Sequence, residues 1–376
     1  MPPPRLLFID NLRTFLISLV LLHHLSITYG AAGSWYYNEA RLEGLDFLPM
    51  LLFVVTNQSF FMGLFFLISA YFTVPSLDRK GAGKFLKDRL IRLGIPILIF
   101  FFVLSPLTVF LAVRAGGNTD LSFLNFLREG RGFGFGPMWF VEALLLFSLV
   151  YLAVRYFSSK KTAETSNSIP LPKDGIILLF ALGMGLLSFV VRIWLPVGWS
   201  LQPFGFQFPH FVQYISLFMV GLVAYRNNWL EQISFQRGIR WFVAAQGLIF
   251  IVFPALFFLS GLATGGSSDA FVGGFHWQSL SYSVWEQVTG VSLIMGLIAI
   301  FRKRWNLQGT TARRLSDSAY AAYLIHPPIL VGIALVFRDM HLHPIFKFVL
   351  LAPLAWLFVF FLANLVRKLP GLRKVL

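Results

Sequence analysis

The sequence predicts an all-α fold, a polytopic transmembrane bundle of about ten spans with both termini in the cytoplasm. Three observations carry this expectation. Of the 376 residues, 57% are hydrophobic and 12% charged. A soluble domain has about 45–50% apolar and about 25% charged residues. Apolar segments of bilayer-crossing length, roughly 20 residues each, run almost end to end. With the N-terminus inside, 24 of the 31 lysines and arginines fall on the inner side and 7 on the outer. Basic residues are retained in the cytoplasm, so the bias sets the orientation and favours an even number of spans.

The expected spans are 8–30, 47–74, 91–113, 137–157, 174–195, 209–226, 239–262, 281–301, 318–337 and 345–366. No polar stretch is long enough for a second domain, so residues 1–376 are read as one. Loop 158–173 is polar and reads as mobile. Loop 262–280 is rich in Gly and Ser, carries a His-Trp pair, and faces outward as an ordinary loop or part of an acceptor groove. The absence of cysteine excludes disulfides, thiolate metal sites and a cysteine nucleophile. The seven histidines show no metal-binding spacing, so no metal is expected. The net charge of +15 flanks hydrophobic segments, which makes the bilayer the expected partner and not nucleic acid. The N-terminal stretch has no small-residue cleavage signal and is not read as a removable signal peptide.

Four constellations interrupt the apolar runs. In the first span, Arg13 and His24 are eleven residues apart. That is a rise of about 16 Å, ending roughly 20° past three turns, so both share one helix face. Asp10 lies on the same stripe and is expected to pair with Arg13. The histidine is expected deep in the hydrocarbon, where an ionisable residue is a functional-site hypothesis by default. His23 points about 100° away and reads as a packing residue. Before the third span, Lys80, Lys84, Lys87, Arg89 and Arg92 are denser than topology alone requires. Arg89 and Arg92, at i and i+3, share a face suited to phosphate. In the fourth, GPMWFVEALLLFSLVY places Trp139 near the outer edge and Glu142 inside the apolar run. A buried carboxylate must find a partner or take a proton. Glu286 reads as a similar group nearer water. In the ninth, SAYAAYLIHPPIL holds Tyr323 and puts His326 before Pro327 and Pro328, where lost backbone bonds point to a kink and a polar cavity.

Together these segments resemble the acyltransferase 3 family of bacterial membrane proteins. FIDNLRTFLISLVLLHH resembles its Arg-x10-His signature, met by Arg13 and His24. GLFFLISAYF, KDRLIRLGIP, MWFVEALLLFSLVY, FMVGLVAYRNNWLE and SAYAAYLIHPPIL resemble later segments in the expected order. The IDNLR and GIP stretches look most like the branch that includes the glucan biosynthesis protein C group, which succinylates periplasmic glucans. Ala70 stands where many relatives have the glycine of Ser-Gly-Tyr.

The resemblance implies transfer of an acyl group, acetyl or succinyl, from cytoplasmic acyl-CoA to a hydroxyl of an extracytoplasmic carbohydrate. It implies a bacterial inner-membrane location and no permanently bound cofactor, with acyl-CoA as donor substrate. His24 is then the expected base, with a transient acyl-histidine an equally legal route. Arg13 would bind a donor phosphate or polarise the carbonyl. Arg89, Arg92 and Lys87 would hold CoA phosphates. Glu142, His326, Tyr323 and Trp139 would line the cavity or orient the acceptor. The competing reading is a secondary transporter with a His/Arg/Glu path, which inverted repeats would favour; none is visible.

Overall fold

The computed structural model describes residues 5–117, 122–158, 169–372 and 375. Among these, ten helices are long and apolar enough to cross a membrane. They are α1 (Leu7–Thr28), α2 (Gly44–Lys80), α3 (Ala82–Ala115), α4 (Gly136–Phe157), α5 (Asp174–Trp194), α6 (Phe208–Arg226), α7 (Phe235–Leu259), α8 (Trp277–Arg304), α9 (Thr310–Val336) and α10 (Pro344–Val366). No strand accompanies them among the described residues; a lone bridge joins Leu201 and Phe206. Most of the polar loop 158–173 lies outside the described residues.

Most edges fall within a few residues of expectation. The exceptions share a cause. Helix α2 runs on through Pro75 to Lys80, α3 begins at Ala82 and α9 at Thr310. A helix closes its own backbone bonds and continues as readily in water as in lipid, whereas hydropathy marks only the part inside hydrocarbon.

Three five-residue π turns interrupt the spans, at Leu90–Gly94 and Phe100–Leu104 in α3 and Leu248–Val252 in α7. Each ends two residues before a proline: Pro96, Pro106 or Pro254. A proline ring clashes with the carbonyl four residues back. Widening the preceding turn moves that carbonyl aside without ending the helix. Arg92 lies within the first π turn of α3 and Arg89 just before it, and the Arg92 charge acts on Arg89.

Helix α8 is the centre of the bundle, with 83% of its apolar window buried against 22% for α7 at the periphery. It packs on α5 and α7, while α1 lies against α2 and α9. Helix α6 crosses α2 closely. A methyl on Gly221 would sit 2.7 Å from the Ala70 Cβ, so the facing helix has no side chain where Ala70 has one. The small-residue contact at this crossing is kept, with the glycine on α6.

Candidate active site

The site forms where α1, α9 and the loop 29–43 meet. On α9, Pro327 lacks the N–H that would bond the Tyr323 carbonyl four residues back. His326 takes that carbonyl instead, its Nδ1 lying 2.6 Å from Tyr323 O. The helix continues through both prolines, and a side chain satisfies the freed Tyr323 carbonyl. A carbonyl only accepts, so His326 carries its proton on Nδ1 and presents Nε2 as an acceptor. His24 Nδ1 lies 2.9 Å from that Nε2 and must donate. The rings are coplanar within 4°. The chain of bonds leaves the lone pair of His24 on Nε2, which has no hydrogen-bond partner among the described residues.

His24 is four residues from the C-terminal end of α1, nearer that end than the middle of the helix. Its seclusion comes from the loop. Trp35 stacks on it with ring centroids 4.1 Å apart and planes 11° apart, and Tyr36 meets Trp35 edge-on. Burial raises the Tyr36 phenol above its ordinary pKa, so it stays protonated beside Ser105. Gly136, at φ +45°, makes room for the Tyr36 hydroxyl; any Cβ there would collide with it. The loop is fastened at its far end. Lys347 of α10 is 1% exposed and binds Glu39, the carbonyls of Met340 and Arg338, and the face of Tyr29. Glu39 N–H in turn donates to Thr28 O at 2.9 Å, at the end of α1.

At the other end of the α1 stripe, Arg13 is exposed and makes no ion pair or side-chain hydrogen bond among the described residues. Asp10 pairs with Arg5 at 2.5 Å, not with Arg13 as expected. Arg92 is also exposed and unpaired, and its charge acts on Arg13. Tyr320 of α9 donates to the Arg92 carbonyl at 2.9 Å, which anchors the arginine-bearing turn beside α9. Arg13 thus lies about 16 Å along α1 from His24, with Arg92 close enough for its charge to be felt.

A family model described as an acyltransferase domain matches residues 6–366, nearly the whole chain. The chain belongs to the acyltransferase 3 family. It is therefore an acyltransferase enzyme embedded in a membrane by multiple helices, and the transporter reading falls away. Curated relatives include proteins named glucans biosynthesis protein C. That of Salmonella paratyphi B is 23% identical over 92% of this chain and 94% of its own. That of Salmonella paratyphi A is 24% identical with the same coverage. No solved structure matches.

The other expected residues of this acyltransferase are dispersed. Arg89 is half-buried, donates to Thr73 Oγ1 at 2.9 Å and lies over the Phe85 ring, so it is tied to α2. Lys87 is exposed. Lys80 is occupied by Asp88 at 2.6 Å. Glu142 is half-buried with Oε2 unpartnered and makes no hydrogen bond to either histidine. Tyr323 was expected to meet the acceptor, but its hydroxyl is used up on the Pro137 carbonyl, which ties α9 to the entry of α4. Trp139 stacks on Tyr214, one helix away from the histidine pair. His23 packs on Phe61, as its angle predicts. In the outer loop, His276 and Trp277 are exposed and do not reach the histidine pair.

Glu286 is the clearest correction. Expected near water, it is 1% exposed and bound to Arg192 at 2.5 Å, with His210 Nδ1 at 3.3 Å and a Gln287 donor at 3.0 Å. Arg192 also donates to Ser283 Oγ and Pro209 O and lies over Tyr282. The loops after α5 and before α8 close over this cluster: Val197 N–H donates to Val272 O and Gly274 N–H to Arg192 O. The cluster was legible only as a lone arginine near the end of the fifth apolar run. Trp35, Glu39 and Lys347 left no periodic or spacing signal at all.

Proposed function

We propose that this acyltransferase moves an acetyl or succinyl group from cytoplasmic acyl-CoA to a hydroxyl of an extracytoplasmic carbohydrate, such as a periplasmic glucan or a surface polysaccharide. Its membrane is the bacterial inner membrane, with both termini in the cytoplasm. One observation carries the reading. A histidine with a fixed basic nitrogen stands about 16 Å along one helix from Arg13, near which lies Arg92, and neither arginine has a side-chain partner among the described residues. A donor with phosphates at one end of a long arm and a thioester at the other fits that separation. The same distance assigns Arg13 to the phosphates, because it is too far from His24 to polarise the carbonyl attacked there. The names of the curated relatives support a glucan as acceptor.

His24 Nε2 takes the acceptor hydroxyl proton as the oxygen attacks the thioester carbon. His326 holds the ring in the reactive tautomer and accepts from the Nδ1–H that carries the resulting charge. The assay is release of free thiol from acetyl-CoA or succinyl-CoA by purified protein, with and without added glucan. Acceptor-dependent release supports the reading; its absence with both donors and a panel of glucans and surface polysaccharides overturns it.

Two further results are expected. Arg92→Gln should raise the KM for acyl-CoA by about 10- to 150-fold, the equivalent of one charge-assisted hydrogen bond of roughly 1.5–3 kcal/mol. Arg89→Gln should raise it less, because Thr73 already engages that side chain. Equal effects would remove the distinction drawn between them. A reporter fused after Asp269 should read as extracytoplasmic, as the charge bias requires; a cytoplasmic signal would invert the orientation.

A further inference from the structure

Resting on the reading above, we propose that Trp35 is a catalytic residue whose indole N–H stabilises the thioester carbonyl oxygen as it becomes negative. The side-chain donors around His24 are few, and most are engaged. His326 Nδ1–H is bound to Tyr323 O, and the Tyr323 hydroxyl to Pro137 O. His24 Nδ1–H is held by His326. The Tyr36 hydroxyl, against Gly136, shares with the indole the lack of a hydrogen-bond partner among the described residues, but the indole is the one stacked on His24. Trp35 Nε1 is buried and has no partner among the described residues. Native folds rarely leave a buried donor unused, and one beside a catalytic base calls for an explanation.

The stack gives that donor its reach. Trp35 and His24 lie in parallel planes with centroids 4.1 Å apart. The unpartnered N–H thus belongs to a ring in contact with the catalytic one, and in the proposed step the hydroxyl meets His24 Nε2 and the carbonyl oxygen the indole N–H. In the step, the hydroxyl oxygen forms a bond to the thioester carbon. The π pair of the C=O moves onto its oxygen, which the indole N–H receives, and the hydroxyl proton passes to His24 Nε2. Collapse re-forms C=O and breaks C–S, and the thiolate leaves with the proton from His24. The loop that holds the indole in place is fastened by Lys347 and Glu39, so the donor is positioned before substrate arrives.

Trp35→Phe keeps an aromatic face on His24 and removes the N–H together with the second ring of the indole. It should lower kcat by about 10²–10³-fold, the usual effect of deleting one such donor, with KM for acyl-CoA near that of the native protein. Trp35→His restores a ring N–H and should recover part of the loss. An unchanged kcat in Trp35→Phe, or Trp35→His no better than Trp35→Phe, would overturn the proposal. Should Trp35→Phe fail to insert, Trp35→His decides alone. A kcat within about tenfold of native supports the donor, and a loss beyond the single-donor range counts against it. His24→Ala is measured alongside. Full turnover in His24→Ala refutes the reading of the whole centre; a dead His24→Ala with a normal Trp35→Phe refutes Trp35 alone.

Discussion

His24→Ala should insert and fold normally and lose about 10²–10⁴-fold in turnover, the usual contribution of a general base. A covalent role would cost at least as much. His23→Ala should cost far less, because His23 packs on Phe61, meets His24 only edge-on and makes no hydrogen bond to it among the described residues. His326→Ala is the more informative companion. Without it, His24 Nδ1 has no acceptor, and neither tautomer nor ring angle is fixed. Loss of an orienting partner that leaves the wrong tautomer costs up to about 10⁴-fold. The two losses should not add, because both variants disable one unit. Thiol release from acyl-CoA, in matched amounts of protein, measures all three. Near-normal release by His24→Ala would refute the assignment; a silent His326→Ala would leave His24 as base but detach it from the hydrogen-bond chain through Tyr323.

The second large effect concerns stability. Arg192→Met leaves the Glu286 carboxylate buried beside His210 without its main counter-charge. Breaking a buried pair from one side costs about 3–5 kcal/mol, whereas replacing both partners by apolar groups is often nearly neutral. Thermal unfolding in detergent should therefore show a large fall in Tm for Arg192→Met, mostly recovered in Arg192→Met/Glu286→Leu. A single variant as stable as the native protein would show that the cluster does not hold α5 to α8. The pair lies in a different cluster from the histidines, so kcat in folded Arg192→Met/Glu286→Leu should change little.

Much of this was legible in the chain itself. Span number and class follow from hydropathy, because backbone polar groups in hydrocarbon must bond internally and a run of about 20 apolar residues has few other fates. The shared face of Arg13 and His24 follows from helix geometry, but the contact of His326, expected to line a cavity or orient the acceptor, with His24 did not. Periodicity failed where a residue depends on what another element brings to it. Arg89 is tied to Thr73 of α2 while Arg92 is exposed, a division that their spacing did not carry. Asp10 had two arginines within reach, and only the folded entry to α1 selects Arg5. Glu286 seemed near water because one helix does not reveal the loops that close over it.

By itself, the sequence determined an all-α membrane bundle, the family and the two ends of the α1 stripe. These rest on composition and on fixed rise and rotation per residue. Tertiary structure alone decided the tautomer of His24, the Trp35 roof and its Lys347–Glu39 fastening. Each is a contact between residues about 290 or more apart, or between a loop and a helix. The energies that select such contacts are hydrogen bonds and ring stacking within a few ångströms, and the identity of a residue does not carry the position of its partner.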